Sequence, residues 1–109
     1  MNFIWSERID AILNCGLLLE SMGVQNWALR RDDALRVINE LEALDVPILG
    51  GDVYQLGDGT VEHTYDNWYC DQEPDEPGSV FLRRSLVRAR NYICSYPNSD
   101  SLFAIVPGI

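Results

Sequence analysis

Apolar residues recur along three stretches of this chain with the period of a helix. Trp5, Ile9, Ile12, Leu13 and Gly16 fall on one stripe at about 100° per residue. Ser6 stands before them as a candidate N-cap. Ala34, Val37, Ile38, Leu41 and Leu44 form a second stripe roughly 120° wide, with Arg36, Asn39, Glu40 and Ala43 opposite. Asp32 and Asp33 sit where the positive end of a helix dipole favours acids, and Val46-Pro47 ends the stretch. In the third, Ser79 is a candidate cap, and Leu82, Leu86, Ala89, Ile93 and Tyr96 line up before Pro97 stops the helix. Such stripes are core surfaces, so Ile38, Leu41, Leu86 and Ile93 are expected to be buried.

Between the second and third helices the period changes to two. Pro47-Ile48-Leu49 leads through Gly50-Gly51 into Asp52-Val53-Tyr54-Gln55-Leu56, and Thr60-Val61-Glu62-His63-Thr64-Tyr65 returns. The connection, Gly57-Asp58-Gly59, holds an Asp-Gly pair, the preferred centre of a type I′ hairpin turn. This register predicts Tyr54, Leu56, Val61, His63 and Tyr65 on one face and Val53, Gln55, Glu62 and Thr64 on the other. The first face has more apolar bulk and is expected to meet the helices. Gly50-Gly51 predicts a bulge or a close backbone approach. Leu102-Phe103-Ala104-Ile105-Val106 is a continuous apolar run suited to a buried central strand, and Trp27-Ala28-Leu29 to a short one. The stretch from Asp71 to Gly78, with Pro74 and Pro77, reads as a stiff acidic loop. The expected fold is one α+β domain over residues 1–109. A small, mostly antiparallel sheet with a central hairpin would pack on about three helices, mainly through one face.

Charge changes this picture in one region. From Val37 to Leu82 there is no Lys or Arg, yet the stretch holds eleven carboxylates and four of the eight Tyr and Trp residues: Tyr54, Tyr65, Trp68 and Tyr69. Unneutralised carboxylates repel one another and oppose compaction. A chain that keeps them has either a solvated acidic surface or a cationic partner. The net charge of −9 argues against nucleic acid or an anionic membrane and favours a basic protein. With 109 residues, nearly half apolar, the chain can bury a core without disulfides or metals. Its cysteines, Cys15, Cys70 and Cys94, are odd in number and have no framework spacing. The first residues lack a positive n-region, and no apolar run approaches the ~20 residues of a membrane span. A cytoplasmic protein with free thiols, no metal and no cofactor is expected; nothing points to a homo-oligomer.

Catalytic chemistry finds little support. His63 precedes Cys70 by seven residues, but acidic surroundings raise a thiol pKa, and no oxyanion-hole motif accompanies the pair. A histidine packed between hairpin aromatics is the plainer reading. His63, Asp66 and Cys70 match no zinc module. No phosphate-binding glycine loop or nucleophile elbow is present. Asp52, on the inward face near the open end of the hairpin, needs a cation or hydrogen bonds. Arg83 and Arg90 flank the third stripe and are expected to supply that contact, whereas Arg84 and Arg88 point away from it. Tyr65-Asp66-Asn67-Trp68-Tyr69 is the most informative short run, because Tyr and Trp bury much area for few torsions and are enriched at interfaces. Asp58, Glu62, Asp66, Trp68, Tyr69, Asp71, Glu73, Asp75 and Glu76 are therefore the candidate partner-binding residues, with Trp68 and Tyr69 equally compatible with a core role.

The runs Asn26-Trp27-Ala28-Leu29, Pro47-Ile48-Leu49-Gly50-Gly51-Asp52-Val53-Tyr54 and Tyr65-Asp66-Asn67-Trp68-Tyr69-Cys70, followed by the Arg84-Ser85 helix, resemble the immunity protein 40 family of bacterial polymorphic toxin systems. The resemblance extends from about Trp5 to Tyr96. The second helix departs from it by starting at Arg30-Arg31-Asp32, without a Ser or Thr cap. The resemblance implies a small cytoplasmic α+β protein, without enzymatic activity, that binds and neutralises a cognate secreted toxin domain, with a basic nuclease as one candidate. The alternative is a small acidic adaptor or regulatory module whose partner is not a toxin.

Overall fold

The computed structural model describes residues 2–108. It is an α+β fold with the elements α1 (Glu7–Leu13), β1 (Leu17–Leu18), a 3-10 turn (Glu20–Met22), β2 (Trp27–Arg30), α2 (Arg31–Ala43), β3 (Ile48–Gly57), β4 (Thr60–Tyr69), α3 (Gly78–Ser95) and β5 (Ser101–Pro107). The strands form one sheet in the order β1-β2-β5-β3-β4, and every neighbouring pair is antiparallel. The apolar run near the end of the sequence is thus the central strand, as its unbroken hydrophobicity requires. Helices α2 and α3 pack together over the sheet.

The periodic stripes account for the helices. Ser6 caps α1 by accepting from the Ile9 amide at 3.1 Å, and Ile9 and Leu13 are buried. Ala34, Val37, Ile38 and Leu41 of α2, and Leu86, Ala89 and Ile93 of α3, form one core with Val53, Phe103 and Ile105 of the sheet. No side chain caps α3, whose N-cap is Pro77 rather than Ser79. Ser85, fully buried, accepts a hydrogen bond from the Ile48 amide at 3.0 Å and donates to the Leu82 carbonyl, tying α3 to the start of β3. Asn26, also buried, donates from its amide to the Ile105 carbonyl at 2.9 Å and accepts from the Trp27 amide, locking the entry of β2 against β5.

The hairpin turns as the sequence predicts. Asp58 and Gly59 both have positive φ, 49° and 84°, between the paired residues Gly57 and Thr60. Its strands are longer than the sequence suggests. β4 continues to Tyr69, so the Tyr65–Tyr69 run is strand rather than loop. The Gly50-Gly51 pair is the expected close approach: a Cβ on Gly51 would lie 2.2 Å from the Trp68 ring and 2.5 Å from the Ala104 carbonyl oxygen. A register shift against β5 falls between Ile48 and Gly50.

The orientation of the hairpin is opposite to the one expected. Val53 and Trp68 face α2 and α3, while Tyr54 turns to the other side with Leu102, Ala104 and Ala28. Leu19, Met22 and Val24, between β1 and β2, cover part of that second side. Bulk along the hairpin does not select the helix-facing side; the partners on β5 do. Phe103 and Ile105 stand beside Val53 and Gly51 and share the helix-facing layer, while Leu102 stands beside Tyr54.

Candidate functional site

The face of the hairpin turned away from the helices carries four cross-strand pairs: Gly50 with Tyr69, Asp52 with Asn67, Tyr54 with His63, and Leu56 with Val61. The Leu19–Val24 segment reaches Tyr54 and Val61 but leaves the outer rows open. Tyr65 is 81 % exposed, Tyr69 65 % and Leu56 50 %. Exposed aromatics at this level, on one sheet face, are the features that distinguish an interface from ordinary surface.

Tyr65 owes its position to a bulge. Opposite Val53 the β4 strand inserts Thr64, Tyr65 and Asp66, since the pairing jumps from Tyr54–His63 to Asp52–Asn67. Tyr65 takes φ 69°, a left-handed conformation that a bulky side chain adopts at a cost of roughly 1–2 kcal/mol. Local hydrogen bonds hold it there. The Thr64 hydroxyl donates to the Val53 carbonyl at 2.8 Å and accepts from the Asp66 amide at 3.1 Å. The Tyr65 amide donates to His63 Nδ1 at 2.8 Å, so that nitrogen carries no proton in this arrangement. The rings follow suit: His63 stacks on Tyr65 at 4.7 Å and leans on Tyr54 at 4.6 Å. His63 is thus the packed hairpin histidine that the sequence suggests.

The acidic residues divide into two groups. Asp58, at the turn, and Glu62, Asp66, Asp71, Glu73 and Asp75 are exposed. Asp66 accepts from the Tyr96 hydroxyl at 2.5 Å, and that bond, with burial second, raises the Tyr96 pKa. Glu76 does not belong to the outward rim. Its carboxylate takes a two-pronged contact from Arg84, Nε at 2.9 Å and Nη2 at 2.8 Å, and accepts from the Glu73 amide at 2.9 Å. These bonds, Arg84 first, hold the Glu76 carboxyl well below the usual carboxylate range, at about 2. Arg84 also donates to the Asp71 carbonyl at 2.6 Å and lies against the Cys70 sulfur at 3.3 Å. One arginine therefore closes the 70–76 loop onto α3.

One open alternative is decided and one expectation is corrected. Trp68 is core: it is 4 % exposed, packs over Gly51 and stacks on Tyr92 at 4.8 Å. Its indole N–H has no hydrogen-bond partner among the described residues. The Asp52–arginine contact does not form. Asp52 shares the outer face with Tyr54, while α3 lies beyond the opposite face. Arg90 instead donates to Glu42 at 2.6 Å and Asn39 at 2.9 Å, and Arg83 remains exposed. Arg84 and Arg88, which point away from the apolar stripe of α3, are the ones that reach the hairpin end, since Arg84 lies against Cys70 and Arg88 donates to the Tyr69 carbonyl at 2.6 Å. Sequence reasoning did not single out Tyr65 and Leu56 as candidates, although alternation had placed both on the correct shared face.

No reactive pair is assembled here. Cys70 is buried against Arg84, whereas His63 lies in the outer stack, seven residues or roughly 20 Å back along the strand. Among the described residues no three His, Cys, Asp or Glu side chains are grouped to hold a metal ion, and no helix is long and apolar enough to cross a membrane. What the arrangement offers is a surface: two tyrosines and a leucine on an open sheet face, with Asp58 at its turn.

No curated protein and no solved structure matches the chain. A family model does. It is described as immunity protein 40 and aligns with residues 18–107, from the first strand through the last. That span takes in the hairpin, the bulge, the Arg84 clamp and the central strand, and it supports an immunity-protein role with a cognate toxin as the general partner. The chain belongs to the immunity protein 40 family.

Proposed function

We propose that this protein neutralises its cognate toxin by laying the outer hairpin face against it, in the cytoplasm of the producing cell. Tyr65 and Tyr69 are the anchors, with Leu56 between the tip and the stack. Asp58 at the turn, and the exposed Asp71, Glu73 and Asp75 of the loop on α3, supply negative potential that steers a basic toxin surface, while Glu62, paired with Gln55, and Asp66, held by Tyr96, lie on the helix side of the hairpin. The observation that carries this reading is Tyr65, an almost fully exposed aromatic kept in a left-handed conformation by three local hydrogen bonds. Strain retained at an exposed residue earns nothing for the fold and is characteristic of binding and switch sites.

Carboxylates around a nuclease-type basic site occupy the places of substrate phosphates and speed encounter, and nuclease–immunity pairs are among the tightest complexes known. Trp68 and Glu76 act behind this surface, as the packing beneath Gly51 and the fastening of the loop. The test is co-expression with the toxin domain encoded beside the gene, followed by association and dissociation rates for the purified pair. A stable complex whose dissociation is accelerated at least tenfold by Tyr65→Ala or Tyr69→Ala is expected. Wild-type rates for both folded variants would place the interface elsewhere.

A further inference from the structure

Strand order puts β4 at one edge of the sheet, paired with β3 alone. The opposite edge, β1, is two residues long, whereas β4 runs for ten. From Thr60 to Tyr69 there is no Lys, Arg or Pro, the residues that most often blunt an open edge.

Which main-chain groups face outward follows from the alternation of an antiparallel pair. Asp58 and Gly59 make a two-residue turn, so Gly57 and Thr60 exchange hydrogen bonds and Leu56–Val61 is the next, open pair. Glu62 then bonds inward to Gln55, while Val61 and His63 turn their N–H and C=O groups away from β3. The far end of the strand obeys the same rule. The Cys70 amide bonds inward to the Leu49 carbonyl at 2.8 Å, which turns the Tyr69 carbonyl outward, and Arg88 of α3 takes it there. Beyond the bulge at 64–66 the chain thus covers its own edge, with Arg88 on Tyr69 and Tyr96 on Asp66. Before the bulge the local side-chain bonds run inward, from Thr60 to the Gly57 carbonyl and from Thr64 to the Val53 carbonyl. They leave the outward groups of Val61 and His63 uncovered.

Charge decides what can cover them. A second copy using all four outward groups would set Val61 against the other chain's His63. Glu62 would then stand directly opposite Glu62 in the more closely spaced kind of pair, between two chains of net charge −9. Like charges so placed oppose pairing. Glu62 has no ion-pair partner among the described residues, so a basic strand meets the reverse: one unpaired carboxylate at the centre of the open segment.

We propose that an extended segment of the cognate toxin adds to the sheet beside residues 60–63, antiparallel to β4, with a Lys or Arg opposite Glu62. The residues flanking that cation lie beside Val61 and His63 on the tyrosine face and are apolar. This rests on the toxin reading of the hairpin and specifies how the toxin is held. Main-chain bonds at the edge supply affinity, and the alternation of basic and apolar side chains supplies selectivity. The bulge ends the added strand where Tyr65 stacks on His63.

The experiment is amide hydrogen exchange of the full chain by NMR, free and bound to the toxin domain encoded beside the gene, with sedimentation of the free chain. A free monomer is expected in which the Glu62 amide exchanges slowly and the Val61 and His63 amides rapidly; the complex should slow the latter two about a hundredfold or more. Val61→Pro removes one outward N–H and spares the inward ladder, so it should weaken the complex roughly thirtyfold, against about threefold or less for Val61→Ala, which keeps the amide. Val61 and His63 amides that stay fast in a complex weakened by Tyr65→Ala would overturn edge pairing and leave the tyrosine face standing. Slowed amides in a complex indifferent to Tyr65→Ala would do the opposite. A free dimer with both amides already slow would give the edge to a second copy and overturn the proposal, and failure to form any complex would overturn both readings.

Discussion

Trp68 and Tyr69 are chain neighbours of similar chemistry with opposite placements. Trp68 turns inward over Gly51 and stacks on Tyr92; Tyr69 turns outward across from Gly50 and stays mostly exposed. Each aromatic sits opposite a glycine for a different reason. At Gly51 the missing side chain makes room for the indole, whereas at Gly50 an added Cβ would strike the β4 backbone at the Trp68 carbonyl, 2.4 Å away. One face of the hairpin is thus committed to the fold and the other is left with large aromatic area unspent. A change on the inner face should read out in stability, and one on the outer face in binding.

The largest effect is expected from Trp68→Ala, which removes a buried indole and its stack: a loss of about 3–5 kcal/mol by urea denaturation. Destabilisation below about 1 kcal/mol would show that the inner face is less committed than its burial implies. Tyr69→Ala should leave the urea midpoint nearly unchanged and weaken the toxin complex by about 2 kcal/mol, seen in the dissociation rate. Next comes charge. Neutralising Asp71, Glu73 and Asp75 together should slow association roughly tenfold at low salt, flatten its salt dependence and leave dissociation alone.

Tyr65→Gly separates the two readouts most cleanly. It relieves the left-handed strain and should stabilise the fold by up to about 1 kcal/mol while weakening the complex. Loss of both stability and binding would mean that the His63 stack is structural. The smallest effect concerns Glu76. Its folded pKa lies below the unfolded value of 4.5, so its contribution is present above that value and is lost as pH falls through about 2. Protection of the 70–76 loop amides, measured relative to their intrinsic exchange rates, should therefore fall between these limits in the wild type. With Glu76→Gln it should already be low at neutral pH.

Periodicity located all three helices, the hairpin and the central strand, because each rests on local repetition of apolar residues. It failed where the answer depended on another element. Alternation grouped Tyr54, Leu56, Val61, His63 and Tyr65 correctly on one face, but which face meets α2 and α3 is set by Val53 aligning with Phe103, fifty residues away. The two-residue β1 and the turn that follows it are too short to carry a period. Arg84 looked free on a helical projection because the loop that folds back over it has no period at all. Pro74 and Pro77, with Glu76 between them, were the available signal. The runs that carry the family resemblance proved largely architectural: Asn26 binds β5, Gly51 admits Trp68, and Ser85 anchors β3. The candidate site was legible in its acids and in Tyr69, less so in Tyr65, whose exposure follows from a bulge that no residue pattern announces.

The central position of β5 also has a kinetic consequence. Its two flanking strands are β2, seventy residues earlier, and β3, so neither half of the sheet has its inner neighbour until residues 101–107 are available. The β3–β4 hairpin and the β1–β2 pair can form locally, within microseconds, but they remain two separate pieces with unpaired inner edges. Joining them requires long loop closures, which places folding among the slower, millisecond-to-second topologies. During synthesis the tyrosine face would therefore exist on a loose hairpin before it exists on a rigid one, and protection should lag translation by the time β5 takes to insert.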